Sequence, residues 1–253
     1  MNFFFGINNS DILSEIQLPV FKNRYPDPEN IFLFKGYAEN NKWNIKELKY
    51  NKIDNHFFLI KNDEISNKDI FFLAYPQNLK NFDYLKLKKF NNFTCTAPAY
   101  RANLKISLIN GGFSSYQSEY PFSMIEKRGS ILSPISSLAN KDAEKNYIFI
   151  KNIYEKPIYE TFLAYLVNIK SKKIEEKIEI KTNYMNCFEL KKTLIKPEIF
   201  LVTDNYLGIP MYVSIKNKHI SFEHTHPPHE YILSQDKFKT VSNLKKEINE
   251  IIN

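Results

Sequence analysis

The sequence predicts a mainly β protein, folded as a β sandwich or an open barrel, with a short N-terminal helix and a C-terminal amphipathic helix. Short apolar runs separated by Gly, Pro or charged turns recur along most of the chain, which is typical of strands. Strands do not alternate with long helical segments, so a doubly wound α/β fold is disfavoured. Of the 253 residues, 43% are hydrophobic, which is enough for a large core. We expect a single domain over 1–253; the alternative divides it into a smaller mixed α/β region, 1–91, and a β body, 92–253.

The two predicted helices lie near the ends of the chain. Ile12, Leu13 and Ile16 fall at helical spacing, which predicts a helix over 10–17. Over 240–252 the apolar residues follow one stripe, with Lys and Glu opposite, which predicts an amphipathic helix packed on a sheet. Both helices are therefore expected at the periphery of the β structure.

Strands are predicted between the two helices. The runs whose alternation or continuous apolar character indicates a strand are 31–37, 56–60, 70–75, 102–109, 113–124, 130–138, 147–154, 162–169, 174–180, 199–202 and 211–222. The polar stretch 170–173 predicts a hairpin between its two neighbouring runs. A second hairpin is predicted through Lys216, Asn217 and Lys218.

The net charge of +7 raises the question of nucleic-acid binding. Only three of the 35 basic residues are arginine, namely Arg24, Arg101 and Arg128. Base edges and phosphates are recognised best by the planar guanidinium group, whereas here the positive charge is almost all lysine. An excess of Lys, Asn, Ile, Phe and Tyr is typical of an AT-rich genome. The charge is therefore interpreted as a compositional effect, and nucleic-acid binding is disfavoured.

The sequence predicts a cytoplasmic protein without a membrane partner. No stretch approaches the roughly 18 uninterrupted apolar residues of a transmembrane helix. The N-terminus has no positive charge ahead of an apolar run, as a signal peptide would have. Two cysteines, Cys95 and Cys187, are too few for a disulfide framework. The sequence does not indicate an oligomeric state.

Lysine is unevenly distributed, and two windows are almost without it. Residues 92–136 and residues 198–234 contain two lysines each. In a chain so rich in lysine, such a window is interpreted as core or as a functional site. We expect the two windows to face one another across the same pocket.

The most concentrated chemistry lies in 223–230, which reads Glu-His-Thr-His-Pro-Pro-His-Glu. If the chain is extended up to His226, then His224 and His226 point to one face of the strand and can hold one metal ion. The two prolines force a kink that would bring His229 or Glu230 back as a third ligand. Histidine and carboxylate ligands suit Zn²⁺, Fe²⁺ or Mn²⁺. The predicted metal ligands are therefore His224, His226, His229 and Glu230.

The spacing of His224, His226 and Glu230 is HxHxxxE, which resembles the first half of the metal-binding motif of cupins. The resemblance implies that these three residues are metal ligands. It covers seven residues, because Lys218 stands six residues before His224, where the cupin motif has glycine. The residues after 230 also leave no room for the second cupin motif. The chain is therefore not assigned to the family.

Two other interpretations of this segment stay open. In the first, the histidines act on a ligand without a metal ion, and His229 and Glu230 are the candidate catalytic residues in either case. In the second, the histidines hydrogen-bond to backbone groups in a rigid loop or form a cluster that titrates near neutral pH.

Charged residues near the two windows are candidate ligand contacts. Arg101, beside Tyr100, is predicted to clamp a carboxylate or phosphate; the alternative is an ion pair with an internal acid. Arg128 is assigned to the same ligand site. Asp204 follows the strand 199–202 and is expected near the histidines as an extra ligand or an orienting residue. The alternative is that Asp204 only forms a turn.

The strand that begins at Phe113 is both aromatic and polar. Alternation places Ser114, Tyr116 and Ser118 on one face and Gln117 on the other. A surface that combines Ser, Tyr and Gln is typical of a site for a sugar or another small polar ligand, so Tyr116 and Gln117 are candidate binding residues. The alternative is an ordinary solvent-facing strand.

These residues favour a metal-binding β protein. As an enzyme, it would act on a small polar or carbohydrate-like substrate through a divalent ion coordinated by His and Glu. The alternative is a non-catalytic β-sandwich module that recognises a glycan or a partner protein, with the histidines as a rigid recognition loop. A nucleic-acid-associated domain rests on charge alone and ranks last.

Overall fold

The structure of the chain, a computed structural model, describes residues 2–20, 30–49, 51–54, 57–88, 101–125, 131–203, 206, 208–224 and 235–253. In chain order, the elements in these ranges are β1 Asn2–Phe3, β2 Ile12–Pro19, β3 Phe32–Glu39, β4 Lys42–Glu47, β5 Lys52–Asp54, β6 Phe57–Ile60, β7 Ile70–Ala74, β8 Ala102–Leu108, β9 Phe113–Ser118, β10 Tyr120–Pro121, α1 Phe122–Ile125, β11 Ile131–Pro134, β12 Lys145–Lys151, β13 Thr161–Asn168, β14 Lys173–Lys181, β15 Met185–Glu189, β16 Ile199–Thr203, β17 Ile209–Lys216, β18 His219–His224 and α2 Lys237–Ile252. Short 3-10 helices lie at Asn62–Glu64, Pro76–Leu79, Ile135–Ser137 and Lys192–Leu194.

The strands form small antiparallel sheets. Sheet I has the strand order β5-β6-β2-β8-β9, sheet II β4-β3-β7, sheet III β15-β12-β17-β18 and sheet IV β11-β16-β13-β14, while β1 pairs with β10. The sheets are arranged as a propeller-like ring of four blades. The prediction of a mainly β protein is confirmed, but the sheets do not clearly form a sandwich or a barrel.

Sheet III lies between two apolar layers because side chains alternate along its strands. On β12, Tyr147 and Phe149 pack into a cluster with residues of sheets I and II. Ile148 and Ile150 point the other way, into a cluster formed with sheet IV. All four side chains are at most 7% exposed. Apolar contact on both faces of this sheet therefore holds neighbouring blades together.

The predicted N-terminal helix over 10–17 is wrong, because this segment belongs to strand β2. Burial alternates strictly along Ile12–Pro19, and the strand is paired on both sides, with β6 and β8. The Ser14 hydroxyl occupies one buried position, where it accepts a hydrogen bond from the Ile7 backbone N–H at 3.1 Å and donates one to Asn8 Oδ1 at 2.8 Å. The buried serine interrupts the apolar face. The period of two was therefore hidden, and neighbouring aliphatic residues matched helical spacing instead.

The C-terminal helix is confirmed and begins three residues before position 240, at Lys237. Helix α2 packs its fully buried Ile248 against Leu132, Val167 and Val202 of sheet IV. The helix therefore covers the outer face of one blade, as its amphipathic pattern predicts. Within the described ranges, no helix combines the length and the apolar character that a membrane span requires.

Two predicted strands are shorter than expected. The run 113–124 contains β9, the two-residue β10 and then helix α1, and the run 130–138 contains β11 followed by the 3-10 helix at Ile135–Ser137. Pro121 and Pro134 are the last residues of β10 and β11. Proline has no N–H to continue a ladder, so the extended pairing ends at these positions.

Candidate functional site

The β17–β18 hairpin places His224 on a partly buried face of sheet III. The two strands pair antiparallel over six residue pairs. Asn217 and Lys218 close the hairpin with positive φ angles of 49° and 65°, which are typical of a two-residue type I′ turn. The predicted hairpin through 216–218 is confirmed. Phe222, which is 4% exposed, and the half-buried His224 point to the same face, as predicted.

The edge strand β18 of sheet III lies against β9, the edge strand of sheet I. The ring centroids of Tyr116 and His224 are 4.5 Å apart, with an interplanar angle of 67°. The Tyr116 ring also meets Phe222 edge-on, at a centroid distance of 5.7 Å. The Nε2 atom of Gln117 lies 3.1 Å from Nε2 of His224. We name these four residues the β9/β18 seam, and it joins strands from the two low-lysine windows.

A contact between the turns of the β8–β9 and β17–β18 hairpins fixes the position of β9 relative to β18. The backbone N–H of Gly112 donates a hydrogen bond of 2.8 Å to the carbonyl oxygen of Lys218. A Cβ atom at Gly111 would lie 2.8 Å from the same oxygen, closer than real side chains come. The β8–β9 hairpin therefore approaches the β17–β18 turn this closely because position 111 has no side chain.

The contact with Gln117 controls the proton position on His224. In a neutral imidazole, one ring nitrogen donates a hydrogen bond and the other accepts one. When the amide nitrogen of Gln117 faces Nε2 of His224, Nε2 accepts and the proton is on Nδ1. When the amide is turned over, its oxygen accepts from Nε2–H, and Nδ1 carries the lone pair. The tautomer of His224 is therefore coupled to the orientation of one amide.

Arg101 forms the ion pair that was the alternative to a ligand clamp. Its Nε donates to Glu119 Oε2 at 2.8 Å, although the Arg101 side chain is 57% exposed. The other carboxylate oxygen of Glu119 accepts a hydrogen bond from Asn2 Nδ2 at 3.3 Å. The Glu119 carboxylate, at the end of β9, therefore connects Arg101 at the start of β8 to Asn2 of β1.

Exposure along β9 follows the predicted alternation. Phe113 is 67% exposed, Tyr116 is half-buried and Ser118 is fully buried. The Ser118 hydroxyl donates to the Phe5 carbonyl oxygen at 2.9 Å and accepts from the Phe5 N–H at 2.8 Å. Ser118 therefore stabilises the fold, while Tyr116 remains at the seam.

The other predicted site residues lie outside the described part of the chain. These are Tyr100, Arg128, Asp204, His226, His229 and Glu230. Among the residues that the structure does describe, no group of three or more His, Cys, Asp or Glu side chains could hold a metal ion. Three of the four predicted metal ligands, His226, His229 and Glu230, lie outside the described residues. This finding therefore does not test the predicted metal site.

A buried lysine was not among the predicted site residues. Lys151, the last residue of β12, has no exposed surface, and its Nζ donates to the backbone oxygen of Asp69 at 2.8 Å. Burial lowers the pKa of Lys151 to about 7, although the Asp69 carboxylate acts in the opposite direction. That carboxylate pairs with Lys35 Nζ at 3.1 Å and accepts the Ser66 N–H at 2.8 Å. Alternation from the buried Phe149 is the sequence signal that places Lys151 on an inward face.

The fold and the seam define a mainly β protein, a propeller-like ring of small sheets with His224 held between two blades. No protein-family model matches the chain, and no match is found among curated proteins or solved structures. Its function is therefore inferred from its own residues, because a fold by itself does not define a function.

Proposed function

We propose that the protein binds a divalent metal ion, Zn²⁺, Fe²⁺ or Mn²⁺, at the end of β18. The proposed ligands are His224, His226, His229 and Glu230. The observation that carries this proposal is the contact of His224 with Gln117 and Tyr116 across the β9/β18 seam. Histidine ligands are typically oriented by a hydrogen bond from the ring nitrogen that does not bind the metal. Gln117 would accept such a bond once its amide is turned over, so that its oxygen replaces the nitrogen that faces His224.

The ion is proposed to bind Nδ1 of His224. Gln117 occupies the hydrogen-bonding position at Nε2, so an ion that binds while this contact persists uses the other nitrogen. With the Gln117 amide turned over, Nε2–H would donate to the amide oxygen, and the edge-on Tyr116 ring would keep the imidazole in place. Because only the neutral imidazole binds metal, the affinity is expected to fall as the pH is lowered.

The ion would polarise an oxygen atom of a small polar or carbohydrate-like substrate. The proposed catalytic residues are His229 and Glu230. The proposed substrate contacts are Tyr100, Arg101, Tyr116, Gln117, Arg128 and Asp204. Of these, Arg101 is paired with Glu119, so it would exchange that carboxylate for an anionic group of the substrate.

Elemental analysis of the purified protein tests the proposal. After expression in metal-replete medium, we expect stoichiometric Zn, Fe or Mn in the unmodified chain and loss of this metal in the double variant His224→Ala/His226→Ala. His219→Ala is the matched control, because His219 is an exposed histidine at the start of the same strand. This control is expected to retain the metal.

Gln117 provides a second readout of the same site. Gln117→Leu removes the hydrogen bond to His224 and is expected to weaken metal binding by about 10- to 100-fold, whereas Gln117→Glu keeps an acceptor and is expected to retain most of the affinity. A chain that is metal-free after this expression, and whose unfolding temperature does not change when the three ions are added, would contradict the metal proposal.

A second candidate function is a non-catalytic module that recognises a glycan or a partner protein. It is favoured by Phe113, whose 67% exposed ring offers a stacking face to the apolar side of a sugar. Phe113→Ala is expected to change the free energy of unfolding by less than about 0.5 kcal/mol and to abolish retention on immobilised oligosaccharides. Equal retention of the variant and the unmodified chain would exclude Phe113 from recognition. Retention by the His224→Ala/His226→Ala chain would separate this function from metal binding.

A further inference from the structure

A serine-lined cleft opens on the face of sheet III opposite to His224. Ser221 precedes Phe222 on β18, so its side chain points to the other face, where it lies beside Ser214 of β17. The 3-10 helix at Ile135–Ser137 and the loop after it form one wall, and the loop before β16 forms another. The cleft volume is about 570 Å³, which lies within the roughly 300–1,000 Å³ typical of small-molecule sites.

One wall of the cleft is held by buried hydrogen bonds. Ser214 is 5% exposed, and its Oγ donates to Asn146 Oδ1 at 2.7 Å and accepts from the Asn140 N–H at 3.2 Å. Asn146 is 1% exposed and donates from Nδ2 to the Asn140 carbonyl oxygen at 3.0 Å. Ile135 anchors the start of the same wall in the core between sheets III and IV. The wall is therefore pre-formed, which lowers the cost of ordering it around a ligand.

The lining combines hydroxyl groups, an ammonium group and an apolar side. Ser136, Ser137 and Ser221 present exposed hydroxyls, and Lys141 presents an exposed ammonium group. Leu138 and Ile195 are among the apolar contributors to the lining. Among the described lining residues there is no carboxylate. The electrostatic character of the cleft therefore favours a ligand with a negative charge.

We propose that this cleft binds a small, hydroxyl-rich ligand that carries one carboxylate, a compound of the sugar-acid class. Serine hydroxyls both donate and accept hydrogen bonds, so they match the hydroxyl groups of a sugar ring. The Lys141 ammonium group pairs with the carboxylate, and Leu138 and Ile195 contact the apolar C–H face of the ring. The site is separate from the proposed metal site, because the two lie on opposite faces of β18.

Titration of the full chain with D-glucuronate, followed by calorimetry, tests this proposal. We expect saturable binding at millimolar or lower concentrations. Ser221→Tyr is expected to abolish it, because the new ring fills the cleft from an exposed strand position. Lys141→Gln is expected to lower the affinity by about tenfold or more, as the loss of a charge-assisted hydrogen bond implies. Ser242→Tyr, at an exposed serine of helix α2, is the matched control and is expected to bind normally.

D-glucose tests the contribution of the carboxylate and is expected to bind at least about tenfold more weakly than D-glucuronate. Thermal unfolding of every variant shows that it is folded, and Ser137→Tyr fills the cleft from the other wall if Ser221→Tyr does not fold. The proposal is overturned if the unmodified chain does not bind D-glucuronate saturably, if a folded cleft-filling variant binds it unchanged, or if glucose binds equally well. Binding is expected to persist in the His224→Ala/His226→Ala chain, so its outcome is independent of the metal proposal.

Discussion

Lys151→Met is expected to make the protein more stable at about pH 7 and less stable above about pH 10. Lys151 is fully buried, and burial lowers its pKa from 10.5 to about 7 in the folded chain. Between these two pH values the unfolded chain binds a proton that the folded chain does not bind. The contribution of Lys151 to stability therefore falls by about 1.4 kcal/mol for each pH unit of acidification, and it is constant below the folded pKa.

Methionine keeps an unbranched side chain in the same apolar space but does not titrate. It also leaves the backbone oxygen of Asp69 without the hydrogen bond from Lys151, which costs about 1–3 kcal/mol at every pH. The two effects have opposite signs at neutral pH, where the larger one is removal of the cost of deprotonating the Lys151 amine on folding.

Urea unfolding of the unmodified protein and of the Lys151→Met variant, at a series of pH values, measures this effect. The informative quantity is the difference in the free energy of unfolding between variant and unmodified protein, because the titration of all other groups cancels. Lys216→Met, at an exposed lysine at the end of β17, is expected to show a difference that does not depend on pH. If the difference in the free energy of unfolding for Lys151→Met also does not depend on pH, this result would contradict the lowered pKa of the buried amine.

Asn183→Ala is expected to lower the free energy of unfolding by about 3–5 kcal/mol. Asn183 is 1% exposed, and its Nδ2 donates to the carbonyl oxygens of Lys156 and Ile158 at 2.7 and 2.9 Å. Its Oδ1 accepts the N–H of Tyr154 at 2.7 Å. Three hydrogen bonds to the backbone would be lost, each worth about 1 kcal/mol. The Ile158 and Lys156 carbonyl oxygens keep hydrogen bonds from Thr182 Oγ1 and from the Ile158 N–H. The φ angle of 52° adds a further penalty for alanine.

Thermal unfolding measures this loss, and for a chain of this size we expect a fall in Tm on the order of 10 °C. Asn217→Ala is the matched control, because Asn217 also has a positive φ, 49°, but lies in an exposed turn. The control is expected to lose only the backbone contribution, about 1 kcal/mol. Equal losses in both variants would show that the side-chain hydrogen bonds of Asn183 do not stabilise the segment that leads from β12 to β13.

The contact between the low-lysine windows could be anticipated from composition, but its geometry could not. Both Tyr116 and Gln117 were predicted to face a ligand, and the structure brings both against His224. Gln117 and His224 are 107 residues apart in the chain. Alternation assigns a residue to a face of its own strand, whereas the partner of that face depends on how two sheets pack. The same limit applies to Arg101, because the sequence does not show that Glu119 lies within reach of its guanidinium group.

The sequence by itself determined the strand-rich character, the β17–β18 hairpin, the C-terminal helix and the face that His224 shares with Phe222. Each of these depends on local spacing or on turn residues, which act within a few positions of the chain. The tertiary structure decided that 12–19 is a strand, that the sheets form a ring and that Lys151 is buried. It decided these features because they depend on packing between distant segments, and the free energy of burial there exceeds the local preference of each segment.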